Sequence, residues 1–249
     1  MKIVFPEINN RSIAEAISHT NITPIGASDL EDACAKINNG EADAMIAGLD
    51  YSSRDVILAC KNYLGMSSQT FSSCMVFDKP AGKRYIVADI ATCKNPTEDQ
   101  LYDIVCQTYL TAKKLLSEDP KVALLSFSTL GSGGHDESMT KIQNVVRRVQ
   151  LSHPEINIDG ELQLDAAIVP KIARKKAPES SVAGVANVLI CPDINSGNIL
   201  YKSMEYFGEF SAAGPILQGF NFPVSDLSRG SSVADIVKSI EILQRISEA

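Results

Sequence analysis

Histidine is scarce in this sequence of 249 residues, and its cysteines are not arranged in pairs. The three histidines have no second type of ligand at metal spacing, so we expect no bound zinc. The histidines are His19, His135 and His153, and the cysteines are Cys34, Cys60, Cys74, Cys93, Cys106 and Cys191. No CxxC motif occurs, and most cysteines lie in apolar surroundings. We therefore predict reduced core thiols rather than disulfides or a metal site.

The sequence also lacks a concentrated run of lysine and arginine, and its formal net charge is -7. Both features argue against nucleic acid or an anionic membrane as a partner. The N-terminal stretch MKIVFPEINN reaches a proline after a short apolar run, too short for a signal peptide or a membrane span. We therefore expect a cytoplasmic protein, and a hydrophobic content of 45% is ample for a buried core.

Short apolar strands alternate with amphipathic helices along the chain. The predicted strands are Lys2–Phe5, Ala44–Gly48, Phe71–Phe77, Arg84–Ile90, Val122–Ser126 and Val188–Cys191, with Pro80-Ala81-Gly82 joining the third and fourth. The predicted helices are Ser12–Ile17, Ser28–Ile37, Asp55–Leu64, Thr97–Leu116, Ser138–Val149, Ala166–Lys176, one beginning after Gly197, and Val233–Ile246. Thr97 with Gln100 makes a capping box at the start of the fourth. This alternation predicts an α/β fold whose sheet is covered on both faces.

A loop rich in glycine and hydroxyls, FSTLGSGG, follows the strand Val122–Ser126 and precedes a helix. Such a loop can bind phosphate through its backbone N–H groups and hydroxyls, here those of Ser128, Thr129, Gly131 and Ser132. It matches neither GxGxxG nor GxxxxGK[ST], which argues against a dinucleotide site and a P-loop. A tight turn with no ligand explains the glycines equally well.

The stretch PVSDLSRGSSVAD, from Pro223 to Asp235, places a hydroxyl, a guanidinium and a carboxylate close together. Ser228 and Arg229 come just before a predicted helix, for which Ser231 or Ser232 can serve as the N-cap. Asp235 falls on the first turn of that helix, where anions are favoured. The alternative is a capped surface helix with solvated charges.

A second set of polar side chains follows the strand Val188–Cys191. Asn198 and Lys202 are four residues apart, and so lie on one face of the helix predicted to begin after Gly197. The crevice of an open α/β sheet is expected there, which makes both residues candidates for substrate binding. The alternative is that they are ordinary solvated helix residues.

Several segments taken together resemble the phosphate acetyltransferase (phosphotransacetylase) family, whose members transfer acetyl or butyryl groups. They are LLSFSTLGSGG, IDGELQLDAAIVP, KKAPESSVAGVANVLICPDINSGNILYK, GPILQGF and PVSDLSRG. The resemblance runs from Lys121 to Ile236 and extends more loosely upstream. Two departures stand out: the first domain of the family is abbreviated here, and Leu58 occupies the place of an arginine in the family pattern T-A-D-x-x-R. Arg54 lies one turn earlier and is a candidate substitute.

The resemblance implies two α/β domains with open, mostly parallel sheets, like those of isocitrate and isopropylmalate dehydrogenases, with the active-site cleft between them. We expect the first domain to comprise residues 1–68 and 230–249. The second, with the glycine-rich loop, is expected to comprise residues 69–229. A homodimer is also expected.

The reaction implied by the resemblance is reversible transfer of an acetyl group between acetyl phosphate and coenzyme A, with coenzyme A as a substrate and no permanently bound cofactor. Asp235 matches the base that deprotonates the thiol, Arg229 the residue that holds the phosphoryl oxygens, and Ser228 a donor to the developing oxyanion or the leaving phosphate. YKSMEYF is closer to the butyryltransferase branch, whereas GPILQGF and PVSDLSRG favour acetyl transfer. A further alternative is a non-catalytic module that binds coenzyme A or acetyl-CoA.

Overall fold

The computed structural model describes residues 1–79, 82–134 and 136–248. Its strands are β1 Lys2–Phe5, β2 Thr23–Gly26, β3 Ala44–Ala47, β4 Ser72–Asp78, β5 Arg84–Ala88, β6 Lys121–Leu125, β7 Asn157–Leu162, β8 Val188–Ile190, β9 Ser211–Gln218 and β10 Val224–Asp226. Its α-helices are α1 Arg11–Ser18, α2 Leu30–Asn38, α3 Ser53–Ala59, α4 Glu98–Leu115, α5 Glu137–Ser152, α6 Leu164–Ile168, α7 Pro170–Lys176, α8 Ile194–Tyr206 and α9 Val233–Glu248. A π-helical turn, Cys60–Leu64, continues α3.

The chain divides into two compact units. Unit 1 joins Met1–Met75 to the C-terminal segment from Ser211, and unit 2 is Val76–Phe210. Residues 69–75 and 211–229 thus belong to unit 1, whereas the sequence-based division assigned them to the second domain. The reason is strand pairing, because β10 pairs with both β3 and β9. Ser228 and Arg229 therefore share a unit with Asp235.

The sheet of unit 1 has the strand order β2-β1-β3-β10-β9. Strands β2, β1, β3 and β10 run parallel, and β9 is antiparallel to β10. The C-terminal ends of β1, β3 and β10 therefore meet at one edge of the sheet. We call it the unit 1 edge.

The core of unit 1 forms where α2 and α3 cover this sheet. Met45 and Ala47 of β3 are fully buried against Cys34 of α2 and Val56 of α3. The prediction of a buried strand at this point is confirmed, because all residues of β3 are buried. A fully buried parallel strand fixes the start of the loop that follows it.

Unit 2 contains a parallel sheet in the order β5-β8-β6-β7. Helices α4 and α5 pack on one another, and α8 packs on β5. The predicted capping box is confirmed, since Thr97 and Gln100 bond reciprocally at the start of α4. Both units thus have the expected α/β architecture, with mostly parallel sheets.

Two helices differ from the prediction, and part of one predicted connection lies outside the described residues. Helix α8 begins at Ile194, capped by Asp193, and not after Gly197. Gly197 lies inside this helix, at a position where a Cβ would come within 2.0 Å of the Asp89 carbonyl oxygen. The helix predicted through Ala166–Lys176 is two helices, because Pro170 cannot donate a backbone hydrogen bond and starts α7 instead. In the connection from β4 to β5, Pro80 and Ala81 lie outside the described residues, as does His135.

Candidate active site

The loop between β10 and α9 carries the predicted catalytic residues. Ser232, and not Ser231, caps α9: its Oγ accepts from the Asp235 backbone N–H at 3.3 Å. In return Asp235 Oδ2 accepts from the Ser232 N–H and hydroxyl, both at 2.8 Å. Asp235 lies on the first turn of α9, as predicted. This reciprocal cap fixes the orientation of the Asp235 carboxylate at a helix N-terminus.

Ser228 and Arg229 lie in the turn that precedes this cap. The turn is closed by the Ser231 N–H, which donates to the Ser228 carbonyl oxygen at 2.8 Å. Arg229 is exposed and Ser228 is half-buried. No other residue in the described ranges forms a hydrogen bond or ion pair with either side chain. Both side chains are therefore available to an anionic ligand.

Arg54 is the second residue of α3 and is exposed. Leu58 lies one turn later on the same helix and is 43% exposed. Because α3 follows β3, which pairs with β10, Arg54 lies at the unit 1 edge together with Ser228 and Arg229. The fold thus places a guanidinium on the turn preceding Leu58, as predicted.

A buried carboxylate organises the loop after β3. Glu7 follows β1, and its side-chain oxygens accept from the backbone N–H groups of Gly48 at 2.9 Å, Leu49 at 3.4 Å, Asp50 at 2.5 Å and Tyr51 at 3.0 Å. Sequence reasoning missed Glu7. The available signal was an acidic residue placed directly after the end of a buried strand.

Asp226, the last residue of β10, is a second buried carboxylate at this edge. Burial raises its pKa to about 6, and the nearby charge of Glu7 adds to the shift while a hydrogen bond with the Ser53 side chain opposes it. Within the described ranges, its Oδ1 is the one buried side-chain oxygen or nitrogen that lacks a hydrogen-bond partner. A Cβ on Gly48 would lie 2.6 Å from that oxygen. Asp226 therefore sits directly beneath the start of the loop after β3.

The glycine-rich loop, residues 126–134 of unit 2, is organised around a third buried carboxylate, Glu161. Glu161 Oε1 accepts from the Ser128 hydroxyl at 3.0 Å and from the Gly131 N–H at 2.6 Å, and Oε2 accepts from the Gln143 amide at 2.9 Å. Burial alone would raise the pKa of Glu161, but these donors outweigh it and the pKa is lowered. A fourth carboxylate, Asp89, similarly accepts from the N–H groups of Ala91, Thr92 and Cys93.

The predicted phosphate donors of the glycine-rich loop are mostly used inside the loop itself. Each backbone N–H from Gly131 to Gly134 donates to a loop residue or to Glu161. Ser128 and Thr129 are buried, and the Thr129 hydroxyl bonds to Gln163. Ser132 is exposed, and its Oγ accepts from the Thr129 N–H at 2.9 Å. Ser128 and Thr129 thus support the loop from inside, whereas residues 130–134 are exposed.

Asn198 and Lys202 lie on α8, where Asn198 is exposed and Lys202 half-buried. The Lys202 ammonium lies 3.3 Å from a Glu205 carboxylate oxygen and 4.7 Å from the centroid of the Tyr201 ring. Ser196 and Leu200 of the same helix line a cavity of about 440 Å³ in unit 2. Two residues advance a helix by about 200°, so Asn198 and Lys202 lie on a different face from the cavity-lining pair.

Neither a metal centre nor a membrane span is formed by the part of the chain that the structure describes. No group of three or more His, Cys, Asp or Glu side chains there is arranged to hold a metal ion. No helix within the same ranges has both the length and the apolar character needed to cross a membrane.

Comparison with known proteins supports the resemblance drawn from the motifs. A family model described as phosphate acetyl/butaryl transferase matches residues 22–243. The phosphate acetyltransferase of Treponema pallidum is 43% identical over 229 residues, covering 87% of this chain and 68% of the relative. That of Clostridium acetobutylicum is 42% identical over 213 residues, covering 83% and 64%. The chain thus spans about two thirds of the length of these relatives.

Solved structures agree with the sequence comparison. A phosphotransacetylase from Streptococcus pyogenes superposes with a TM-score of 0.90 at 32% identity, covering 100% of this chain and 94% of that one. The EutD phosphotransacetylase from Staphylococcus aureus gives 0.87 at 27% identity, with the same coverage. The predicted fold class and family are confirmed, and the chain belongs to the phosphate acetyl/butyryl transferase family.

Proposed function

We propose that this chain catalyses the reversible transfer of an acetyl group between acetyl phosphate and coenzyme A. The observation that carries the proposal is the junction of β10 and α9, where Ser228 and Arg229 are unpartnered within the described ranges and Asp235 is held by the helix cap. Relatives that share the family are named phosphate acetyltransferase. The reaction needs a cation, a hydrogen-bond donor and a base, and this loop together with the first turn of α9 supplies all three.

Asp235 acts as the base in this proposal. A free thiol has a pKa of about 8.5, so coenzyme A needs help to form the attacking thiolate. The reciprocal cap with Ser232 holds Oδ2 of Asp235 in place. Close approach of the thiol to this oriented carboxylate lets it accept the thiol proton.

The acetyl group passes directly from the phosphate oxygen to the sulfur of coenzyme A. The thiolate sulfur bonds to the acetyl carbonyl carbon, the bond from that carbon to the phosphate oxygen breaks, and inorganic phosphate leaves with the electron pair. Arg229 holds the phosphoryl oxygens, for which a planar guanidinium suits better than an ammonium. Ser228 donates to the developing oxyanion, and Arg54 supplies a second cation at the unit 1 edge. No covalent acyl-enzyme is required, because two oriented substrates already react with a high effective molarity.

In unit 2, the glycine-rich loop is proposed to contact phosphate through the exposed Ser132. Ser128, Thr129 and Gly131 then act as supports, since their donors are used inside unit 2. For Asn198 and Lys202 no contact supports substrate binding, and their role stays a prediction. We also propose a cytoplasmic homodimer, as the resemblance implies. Sedimentation of the purified protein tests whether it is a dimer.

The test is formation of acetyl-CoA from acetyl phosphate and coenzyme A by the purified chain. We expect Arg229→Ala to abolish transfer and to leave the thermal unfolding transition unchanged, because an exposed loop arginine adds little to the core. Arg245→Ala is the matched control, since Arg245 is exposed in the last turn of the same helix α9. A folded wild-type protein that binds coenzyme A without turnover would instead identify a non-catalytic module.

A further inference from the structure

The parallel sheet of unit 2 changes winding direction between β6 and β8. From β6 the chain passes through α5 to β7, the neighbour on one side. From β8 it enters α8, which packs on β5, the neighbour on the other side. Residues of both α5 and α8 line one cavity together with Leu125, which ends β6, and Cys191, which follows β8. A crevice therefore opens beyond the C-terminal ends of β6 and β8, where open α/β sheets bind ligands.

The cavity of about 440 Å³ lies in this crevice. Its walls are mainly apolar, with Leu125 from β6, Ile142 from α5 and Leu200 from α8. Phe127, which follows β6, also lines it and is 64% exposed. A large aromatic side chain exposed beside an apolar cavity offers a flat surface on which a ring can stack.

The polar part of the lining includes one carboxylate, that of Asp193, whose Oδ1 caps α8 by accepting from the Ser196 N–H at 2.9 Å. Asn95 carries amide donors and an acceptor, and Ser138 and Ser196 carry hydroxyls. Lys141 also lines the cavity, and its ammonium donates to the Pro96 carbonyl oxygen at 3.0 Å. Within the described ranges this ammonium has no carboxylate partner, so its charge is available to an anion.

These features discriminate among the chemical parts of the two substrates. A phosphate is too highly charged for apolar walls, and an acetyl group is far too small to fill the cavity. The pantetheine arm is long, thin and flexible. The adenine ring is flat, broad and uncharged, has donors and acceptors along its edge, and is attached to phosphates that a lysine can meet.

We propose that this cavity holds the adenine ring of coenzyme A, with Phe127 stacked on the ring and Lys141 facing the attached phosphates. The assignment rests on the proposed function for its choice of ligand. It adds a nucleotide-binding site in unit 2 that the motifs around Ser228 and Asp235 did not indicate.

The test fills the cavity and compares a substrate that has adenine with one that lacks it. Leu200→Trp blocks the cavity, and Ile199→Trp makes the same change at the neighbouring position, which is 66% exposed and outside the lining. Calorimetry measures binding of adenosine 3′,5′-bisphosphate, coenzyme A and 4′-phosphopantetheine to each protein. We expect Leu200→Trp to weaken binding of the first two roughly 10- to 100-fold, the scale of one base–aromatic stacking contact, and Ile199→Trp to match the wild type.

Kinetics give the same comparison during turnover. The ratio of kcat/KM for coenzyme A to that for 4′-phosphopantetheine should fall in Leu200→Trp and stay constant in Ile199→Trp. If Leu200→Trp does not fold, Phe127→Ala removes the stacking surface at an exposed position and should lower the same ratio.

Two outcomes overturn the proposal. One is wild-type affinity of Leu200→Trp for adenosine bisphosphate, and the other is a change confined to the preference among acyl phosphates, which would assign the cavity to the acyl chain. If the wild type makes no acetyl-CoA, the proposed function fails, while the adenosine bisphosphate titration still decides what the cavity binds.

Discussion

Gly48 occupies a position where any side chain should lower the stability of the fold. It begins the loop after β3 with a φ of +113°, which residues with a side chain rarely adopt. A Cβ there would lie 2.6 Å from both Asp226 Oδ1 and the Leu227 carbonyl oxygen, and 2.8 Å from the Leu227 nitrogen. Because two of these three contacts are backbone and the third belongs to a strand residue, the neighbours cannot move aside without shifting the turn at Ser228.

We expect Gly48→Ala to lower the free energy of unfolding by about 2–6 kcal/mol. About 1–3 kcal/mol comes from the strained backbone and about 1–3 kcal/mol from overpacking. Gly40→Ala is the control, because Gly40 also has a positive φ, +75°, and a Cβ added to it would meet no atom within 4 Å. It should lose about 1–2 kcal/mol. Urea unfolding followed by circular dichroism measures both.

The same substitution should reduce acetyl transfer, because Leu227 directly precedes Ser228 and Arg229. A displacement of about 1 Å at reacting groups can cost about 100-fold in rate. The reasoning is refuted if Gly48→Ala and Gly40→Ala lose equal stability, since the crowding at Asp226 and Leu227 would then have no cost.

Three further predictions concern the charged groups and the substrate. Asp235→Asn should lower kcat more than it raises KM for coenzyme A, because a base acts mainly in the transition state; a change in KM alone would make Asp235 a binding residue. Because the pKa of Asp226 is raised to about 6 in the folded protein, its protonated form favours folding, and this contribution is lost as the pH rises from about 4 through 6. The unfolding free energy of wild type should therefore fall over that range by up to about 3 kcal/mol relative to Asp226→Asn, and parallel pH profiles would contradict the assignment. Acetyl phosphate should give the highest kcat/KM, with propionyl phosphate slower and butyryl phosphate clearly worse, since one methylene changes binding by about 1–3 kcal/mol at most; a maximum at butyryl phosphate would point to the branch suggested by YKSMEYF.

Hydrophobic runs in the sequence predicted the central elements well. Six strands and the long helix α4 with its capping box were predicted, because buried parallel strands read as continuous apolar runs. Strand β2 was not predicted, because it is short, contains Pro24 and has no apolar run. Strand β9 contains Gly214-Pro215, a pair that signals a turn. Without β9 and β10, the segment from 211 to 229 had no sheet to join and was assigned to the second domain.

The candidate site residues were proposed from motifs, and their hydrogen bonds could not be predicted from the sequence. Nothing in FSTLGSGG shows that its N–H groups are already used, since Glu161 lies 30 residues beyond Gly131. Glu7 and Asp226 escaped for the same reason, because a carboxylate in the sequence does not reveal whether it will be buried. Long-range pairing of polar groups is a property of the folded chain.

The buried carboxylates Glu7, Asp89 and Glu161 share one arrangement. Glu7 and Asp89 lie just after β1 and β5, and Glu161 is the penultimate residue of β7. Each accepts at least one backbone N–H from a loop at the C-terminal end of its sheet. These loops are thus held in shape by the protein's own anions before any substrate arrives, so binding need not order them. The same bonds occupy backbone N–H groups that could otherwise donate to phosphate. Recognition of the anion is therefore left to side chains such as Arg54, Arg229 and Lys141. Affinity for the phosphorylated substrates then depends on exposed cations, and it should weaken as the ionic strength of the solution rises.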